Sequence, residues 1–97
     1  MTISVPTTQA LPELIRKIGY FLNDNNSGQL NCVKRLRAGQ PWPRYHLYIK
    51  EEGGLYQLSL LVDQKAETRH YNPTSAHNGE YDGPLVEQEI SRIKSIL

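Results

Sequence analysis

Two histidines and an aspartate between residues 64 and 83 are the side chains best suited to holding a metal ion. His70 and His77 carry imidazole nitrogens and Asp82 carries a carboxylate, which are common ligands of zinc and other divalent ions. A divalent ion held by these three residues could activate water for hydrolysis. The spacing of seven residues between the histidines matches no metal-binding signature. The alternative is a polar surface loop in which Asp82 caps the following helix.

A second group of residues combines cations with aromatic rings. Residues 34–50 contain five Lys or Arg and no acidic residue, although the formal net charge of the whole chain is only +1. Cations neutralise phosphates and aromatic rings stack on bases, so this composition is typical of single-stranded nucleic-acid binding. The alternative is a solvated strand face whose charges oppose aggregation. The candidate residues of this binding face are Arg35, Arg37, Trp42, His46, Tyr48, Lys50 and Leu61.

Size and composition exclude several classes of protein. The chain has 97 residues, which corresponds to one domain. Its single cysteine, Cys32, excludes an internal disulfide and an all-cysteine zinc site, so we expect a free, half-buried thiol. No apolar run approaches the roughly 18 residues that span a bilayer, and no membrane association is expected. The first residues have neither the basic nor the apolar region of a signal peptide, so we expect a cytoplasmic protein.

The elements that must position these residues begin with an amphipathic helix. Apolar residues recur at spacings of three and four over residues 11–22, which predicts a helix whose buried face is Leu11, Leu14, Ile15, Ile18, Phe21 and Leu22. The turn-forming residues 23–28 would end it. Residues 1–8 are predicted to be a loose N-terminal arm, and residues 9–97 a single α+β domain.

Three strands are predicted next, over residues 30–37, 45–51 and 55–63. Gly53 and Gly54 separate the last two strands and predict a two-residue hairpin turn. Such a turn pairs Lys50 with Gln57 and Tyr48 with Ser59. This register puts the apolar residues of both strands on one face of the sheet.

A second helix is predicted to begin at Pro84, with a buried stripe made of Val86, Ile90, Ile93 and Leu97. Both helices need an apolar partner, and the sheet offers one apolar face. We therefore predict an α+β fold of order α-β-β-β-α, in which a three-stranded antiparallel sheet carries both helices on one face. A further short strand is allowed within residues 66–82. The opposite face would be open, and Tyr48 and Leu61 on it could support a homodimer.

Catalytic and nucleotide-binding motifs are absent: the sequence contains no Walker A loop, GxGxxG, HExxH, CxxC or GxSxG. This favours a small binding or interaction module, with a protein partner or self-association, over an enzyme. The first alternative is a single-stranded nucleic-acid binder that uses the basic, aromatic face. The second is a metal-dependent hydrolase centred on His70 and His77. The sequence requires no cofactor and leaves a divalent metal as an option.

Overall fold

The computed structural model describes residues 1–40, 42–63, 79–80 and 83–97. Within these ranges a mixed sheet-and-helix domain is formed. In chain order the elements are β1 (Thr2–Pro6), α1 (Leu11–Lys17), β2 (Phe21–Asn26), β3 (Gln29–Arg35), β4 (Arg44–Glu52), β5 (Leu55–Asp63), β6 (Gly79–Glu80) and α2 (Pro84–Ile96).

The sheet has the strand order β1-β5-β4-β3-β2, and every neighbouring pair is antiparallel. The two-residue β6 pairs with the end of β5 and lies in the region where a further short strand is allowed. The α+β class is confirmed. The prediction of three strands is wrong, because β1 and β2 add two strands to the sheet.

The hairpin formed by β4 and β5 has the predicted register, with Lys50 opposite Gln57 and Tyr48 opposite Ser59. Gly53 and Gly54 both have positive φ, 63° and 79°, which suits glycine at a tight hairpin turn. Alternate residues of the two strands are buried, as the alternation of apolar residues predicts. These buried residues are Tyr45, Leu47, Ile49, Tyr56, Leu58, Leu60 and Val62.

The first helix ends at Lys17, well before the predicted Leu22. Gly19 has a φ of 85°, its N–H donates to Arg16 O, and the next N–H, of Tyr20, donates to Ile15 O. These two bonds make a Schellman motif, which stops a helix at a left-handed glycine. The apolar residues after Gly19 therefore enter β2 and leave the helical face on which the spacing had placed them.

The loose arm predicted for residues 1–8 contains β1. Ile3 lies opposite Leu58 and Val5 opposite Tyr56, so both side chains share the face that packs on the core. On the other face Thr2 and Ser59 hydroxyls lie 3.0 Å apart, and Ser4 donates to Gln57 at 2.7 Å. The short run Thr2–Pro6 becomes a strand because the edge of β5 supplies backbone partners and an alternating surface.

One apolar cluster fills the space between the helices and the sheet. Leu14, Ile15 and Ile18 enter it from the first helix, and α2 contributes Val86, Ile90 and Ile93. Cys32 is fully buried in the cluster instead of half-buried, and burial raises the pKa of its thiol to about 11. The thiol is therefore protonated at neutral pH and acts as a small apolar side chain.

A buried polar cluster ties α2 to the residue that precedes β2. The Tyr20 hydroxyl donates to Glu89 Oε2 at 2.6 Å, and Arg92 donates to both carboxylate oxygens at 2.9 and 2.8 Å. Arg92 also donates to Ile18 O at 2.6 Å. Burial raises the pKa of Glu89, but hydrogen bonds from Arg92 and Tyr20 outweigh it and hold that pKa below 4.5. The same burial, with the Glu89 charge, raises the pKa of Tyr20.

Candidate functional site

The face of the sheet opposite to the helices, called the outer face below, carries most of the predicted binding residues. Strand register places Arg35 opposite Arg44, Val33 opposite His46, and Asn31 opposite Tyr48. The face also holds Lys50 and Leu61, the latter opposite His46. Arg37 is exposed and follows β3 in the connection to β4.

His46 is the centre of a polar network on the outer face and is only 9% exposed. Its Nε2 accepts a hydrogen bond from Arg44 Nε at 3.2 Å, and its Nδ1 lies 3.4 Å from Asn31 Oδ1. Burial and the Arg44 charge lower the pKa of His46, and together they outweigh the raising effect of Asp63, whose Oδ2 is 3.4 Å from Nε2. His46 is therefore neutral at pH 7, with Nε2 as an acceptor and Nδ1 as a donor. Tyr48 stacks beside it, with ring centroids 6.1 Å apart.

Trp42 contacts the guanidinium of Arg44, which also donates a hydrogen bond to His46. The Arg44 Cζ atom lies 4.1 Å from the centre of the Trp42 ring, which is cation–π distance. The sequence predicts Trp42 as a residue of the binding face. The contact with Arg44 associates it with the outer face. Trp42 itself is half-buried.

A cavity of about 650 Å³, called the arginine pocket below, opens beside this network. Its charged lining residues are all cations, and an exposed aromatic ring stands at its edge. The lining residues are Phe21, Asn23, Val33, Lys34, Arg35, Ala38 and Arg44. Arg44 and Phe21 were not among the predicted binding residues. Arg44 lies in the same basic run as Arg35, whereas Phe21 becomes available only because the helix stops at Gly19.

Leu61 does not form an exposed apolar patch with Tyr48 on the outer face, because only 9% of its surface is exposed. Among the described residues, exposed apolar surface is concentrated at the start of β2 instead. Phe21 is 73% exposed and Leu22 is 54% exposed, against 39% for Leu55 and 37% for Leu85. The only signal in the sequence that could have found these two residues is the glycine that interrupts the helical pattern.

A second and larger cavity of about 760 Å³, called the groove below, separates α1 from β2. Leu22 lies opposite Cys32 and so faces the helix side of the sheet. Most of the lining is apolar, and Arg16 is its only charged residue. The lining residues are Leu11, Pro12, Ile15, Arg16, Gly19, Tyr20, Phe21, Leu22, Asn25 and Leu30.

The predicted metal ligands His70, His77 and Asp82 lie outside the described residues, so the metal hypothesis stays a prediction. Across 1–40, 42–63, 79–80 and 83–97, no group of three or more His, Cys, Asp or Glu side chains is placed to hold a metal ion. In the same part of the chain, no helix is long and apolar enough to cross a membrane.

The described part of the chain combines a basic outer face with two cavities. Arg35, His46, Tyr48, Lys50 and Leu61 share one face, Trp42 contacts it through Arg44, and Arg37 follows the end of β3. Comparison with protein-family models, with curated proteins and with solved structures finds no match to this chain.

Proposed function

We propose that the protein is a small binding module that docks an extended segment of a partner protein along β2. The observation that carries the proposal is an open edge strand beside an apolar groove. Within the described part of the chain β2 pairs only with β3, and all six of its residues are exposed. The groove then supplies a place for the side chains of an added strand.

Backbone groups along the open edge of β2 supply one part of the affinity. An edge strand presents unpaired N–H and C=O groups, and an extended peptide can satisfy them by joining the sheet. Because side chains alternate across a strand, every second residue of the added segment would point toward α1. Apolar residues at those positions would contact Leu11, Ile15 and Leu22 in the groove.

The positive charge beside the groove favours a partner segment that carries an acidic residue. The groove is lined by one cation, Arg16, and by no acidic residue, and Lys17 follows it at the end of the helix. An acidic side chain flanking the apolar residues of the segment would pair with this end of α1. The occupant that fits is therefore an extended segment with alternating apolar residues and a carboxylate.

A second copy of the chain fits this edge less well. Its own β2 would have to pair antiparallel to itself, which brings the polar half of one strand against the apolar half of the other. The polar half contains Asp24, and a register shift between Leu22 and Asp24 leaves Asn23 as a bulge. Charges and bulges on an edge strand oppose pairing between identical edges. The homodimer suggested by the sequence is thus an outcome for experiment to exclude.

Selection from a display library of short random peptides tests the proposal. Enriched peptides should combine alternating apolar residues with an acidic residue. Their affinity should fall at least about tenfold for Leu22→Asp, because a carboxylate then enters the groove and apolar contact is lost. Leu85→Asp is the matched control, since Leu85 is an exposed leucine at the start of α2, where an acidic residue is tolerated.

Hydrogen exchange on the same complex locates the peptide. The backbone amides of β2 should gain protection when the peptide binds, while those of β1 should not change. The proposal is overturned by peptides that bind equally well to Leu22→Asp, or by protection confined to another strand. It is also overturned if the free protein is a dimer that Leu22→Asp converts to a monomer.

A further inference from the structure

We infer that the arginine pocket is a phosphate site for single-stranded nucleic acid, in which Arg35 and Arg44 bind a phosphate and Phe21 stacks on an adjoining base. Phe21 lines both the arginine pocket and the groove, but Arg35 and Arg44 line only the arginine pocket and Leu22 lines only the groove. Substitutions of these three residues therefore separate this inference from the docking proposed for the groove.

Two arginines face each other across neighbouring strands. Arg35 and Arg44 are directly opposite in the register of β3 and β4. Side chains in that relation are about 5 Å apart at Cβ, and like charges there are destabilising. Asp63 lies opposite Arg44 on the other neighbouring strand, β5, and contacts His46, but among the described residues no ion pair joins a carboxylate to either guanidinium. A bound anion between the two guanidinium groups would remove the repulsion.

Arg44 is oriented before any ligand binds. The Arg44 Cζ atom lies over the Trp42 ring, 4.1 Å from its centre, and Arg44 Nε donates a hydrogen bond to His46. The two terminal nitrogens have no acceptor among the described residues. A guanidinium held in this way presents a planar pair of donors, and that geometry matches the oxygens of a phosphate.

The ligand that fits carries a planar ring beside its phosphate. Phe21 shares the outer face with Val33, one row of side chains away from the Arg35–Arg44 pair. Rows on one face of a strand repeat about every 6.8 Å, so a phosphate on the arginines leaves an attached base within reach of Phe21. An exposed ring can stack only on a base that is itself unstacked. Single-stranded nucleic acid meets this requirement, and a duplex does not.

Further polar contacts continue along the outer face. Tyr48 and Lys50 occupy the next alternate positions of β4 after His46. On the same face a small polar cavity of about 170 Å³ is lined by Asp24, Asn26, Gln29, Asn31 and Tyr48. Its amide groups and phenol are suited to hydrogen bonds with bases. The Asp24 carboxylate repels phosphates, so contacts here would go to a base and not to the phosphate backbone.

Fluorescence anisotropy with a labelled oligothymidylate of about 12 nucleotides tests the inference at low salt. Wild-type protein should bind, and the affinity should fall as salt rises. Arg35→Ala and Arg44→Ala should each weaken binding roughly tenfold and reduce the salt slope by about one. Phe21→Ala should weaken it by roughly fivefold or more, because a base then loses its stacking partner. Lys94→Ala is the matched control, since this lysine lies on α2, and it should change the affinity less than about twofold.

Two further measurements separate the parts of the inference. Leu22→Ala adds no charge beside Phe21 and should leave oligonucleotide affinity unchanged, which distinguishes this site from the groove. Arg44→Lys keeps the charge but lacks the planar pair of donors, so it should not restore full affinity. Thermal unfolding of each variant shows whether it remains folded, and the same concentration of oligonucleotide should raise the melting temperature of wild type more than that of Arg35→Ala.

Three results would overturn the inference. One is the absence of any binding at low salt, where electrostatic attraction is strongest. Another is an equal loss of affinity in Lys94→Ala, which would mean that binding follows the overall charge of the protein. The last is competition by inorganic pyrophosphate together with no effect of Phe21→Ala, which would identify a simple anion site without base stacking.

Discussion

The two edges of the sheet differ in what holds each edge strand. β1 alternates exposed with partly buried residues, so Ile3 and Val5 fasten it to the core. The cavity beside it is about 150 Å³, and Pro6 removes one backbone donor from its end. β2 has no buried residue and borders a cavity of about 760 Å³. Its position depends on the residues on either side of it.

This difference shows how one sheet can have a closed edge and an open edge. The side chains that an edge strand packs into the core are not available to contact a partner. A strand held by its neighbours, here by Tyr20 before it and the turn to β3 after it, leaves its own side chains available. Binding of a partner strand along β2 should therefore disturb the packing of the core least.

The largest effect is expected from Glu89→Gln, which breaks the anchor that precedes β2. The substitution removes the charge that faces Arg92 and Lys34, so the free energy of unfolding should fall by about 2–3 kcal/mol. Urea denaturation measures this loss, and Glu87→Gln on the exposed side of α2 should cost less than about 0.5 kcal/mol. Because the folded pKa of Glu89 is below 4.5, wild type should lose this stabilisation as the pH falls through that folded pKa.

Hydrogen exchange on Glu89→Gln would sharpen the comparison between the edges. Amides of β2 should lose more protection than amides of β1, because only β2 is held through Tyr20. Equal loss on both edges would contradict the view that the two strands are anchored differently.

Equivalent truncations on the two edges should have unequal effects of intermediate size. Ile3→Ala removes a side chain packed on the core and should lower the free energy of unfolding by about 1–2 kcal/mol. Leu22→Ala truncates a side chain that is 54% exposed and should change it by less than about 0.5 kcal/mol. Chemical denaturation of Ile3→Ala and Leu22→Ala measures both free energies of unfolding. A larger loss for Leu22→Ala would mean that the groove is a structural part of the core.

The smallest effect is expected at His46, which lies on the sheet between the two edges. Its pKa in the folded protein is below the ordinary value of 6.5, so the unfolded chain takes up the proton first as the pH falls. The free energy of unfolding should therefore decrease as the pH falls from about 6.5 toward the folded pKa. Among the described residues, the charged groups that face the ring are Arg44 and Asp63.

His46→Gln is the control for this pH dependence, because the other histidines contribute equally to both proteins. The free energy of unfolding of wild type minus that of His46→Gln should decrease as the solution is acidified, because only wild type loses stability through His46. An increase of this difference on acidification would show that the Asp63 charge dominates and that the folded pKa of His46 is raised.

Sequence reasoning succeeded where the local pattern and the tertiary surroundings agree. The β4–β5 hairpin has strict alternation and a glycine pair, and its register was predictable residue by residue. It failed at β2, because Phe21 and Leu22 continue the helical spacing and only the left-handed Gly19 separates them from it. It failed at β1 because five residues without a turn signal show their strand character only beside β5.

The candidate sites divide in the same way. The outer face follows from alternation, so Arg35, His46, Tyr48 and Lys50 could be grouped from the sequence. The opposition of Arg35 and Arg44 could not, because it depends on the register between β3 and β4 across an irregular connection. The groove was also unpredictable, since it exists only where the helix ends and the chain reverses direction.

Because Cys32 is buried, the reactivity of its thiol reports local opening of the structure. Its thiol is the only one in the chain, lies on β3 beside the open edge strand, and has a pKa of about 11. Thiol-reactive reagents attack the thiolate, so labelling of the native state should be slow and limited by opening of the core around Cys32. The rate of alkylation would then measure how often this part of the core opens, without any substitution.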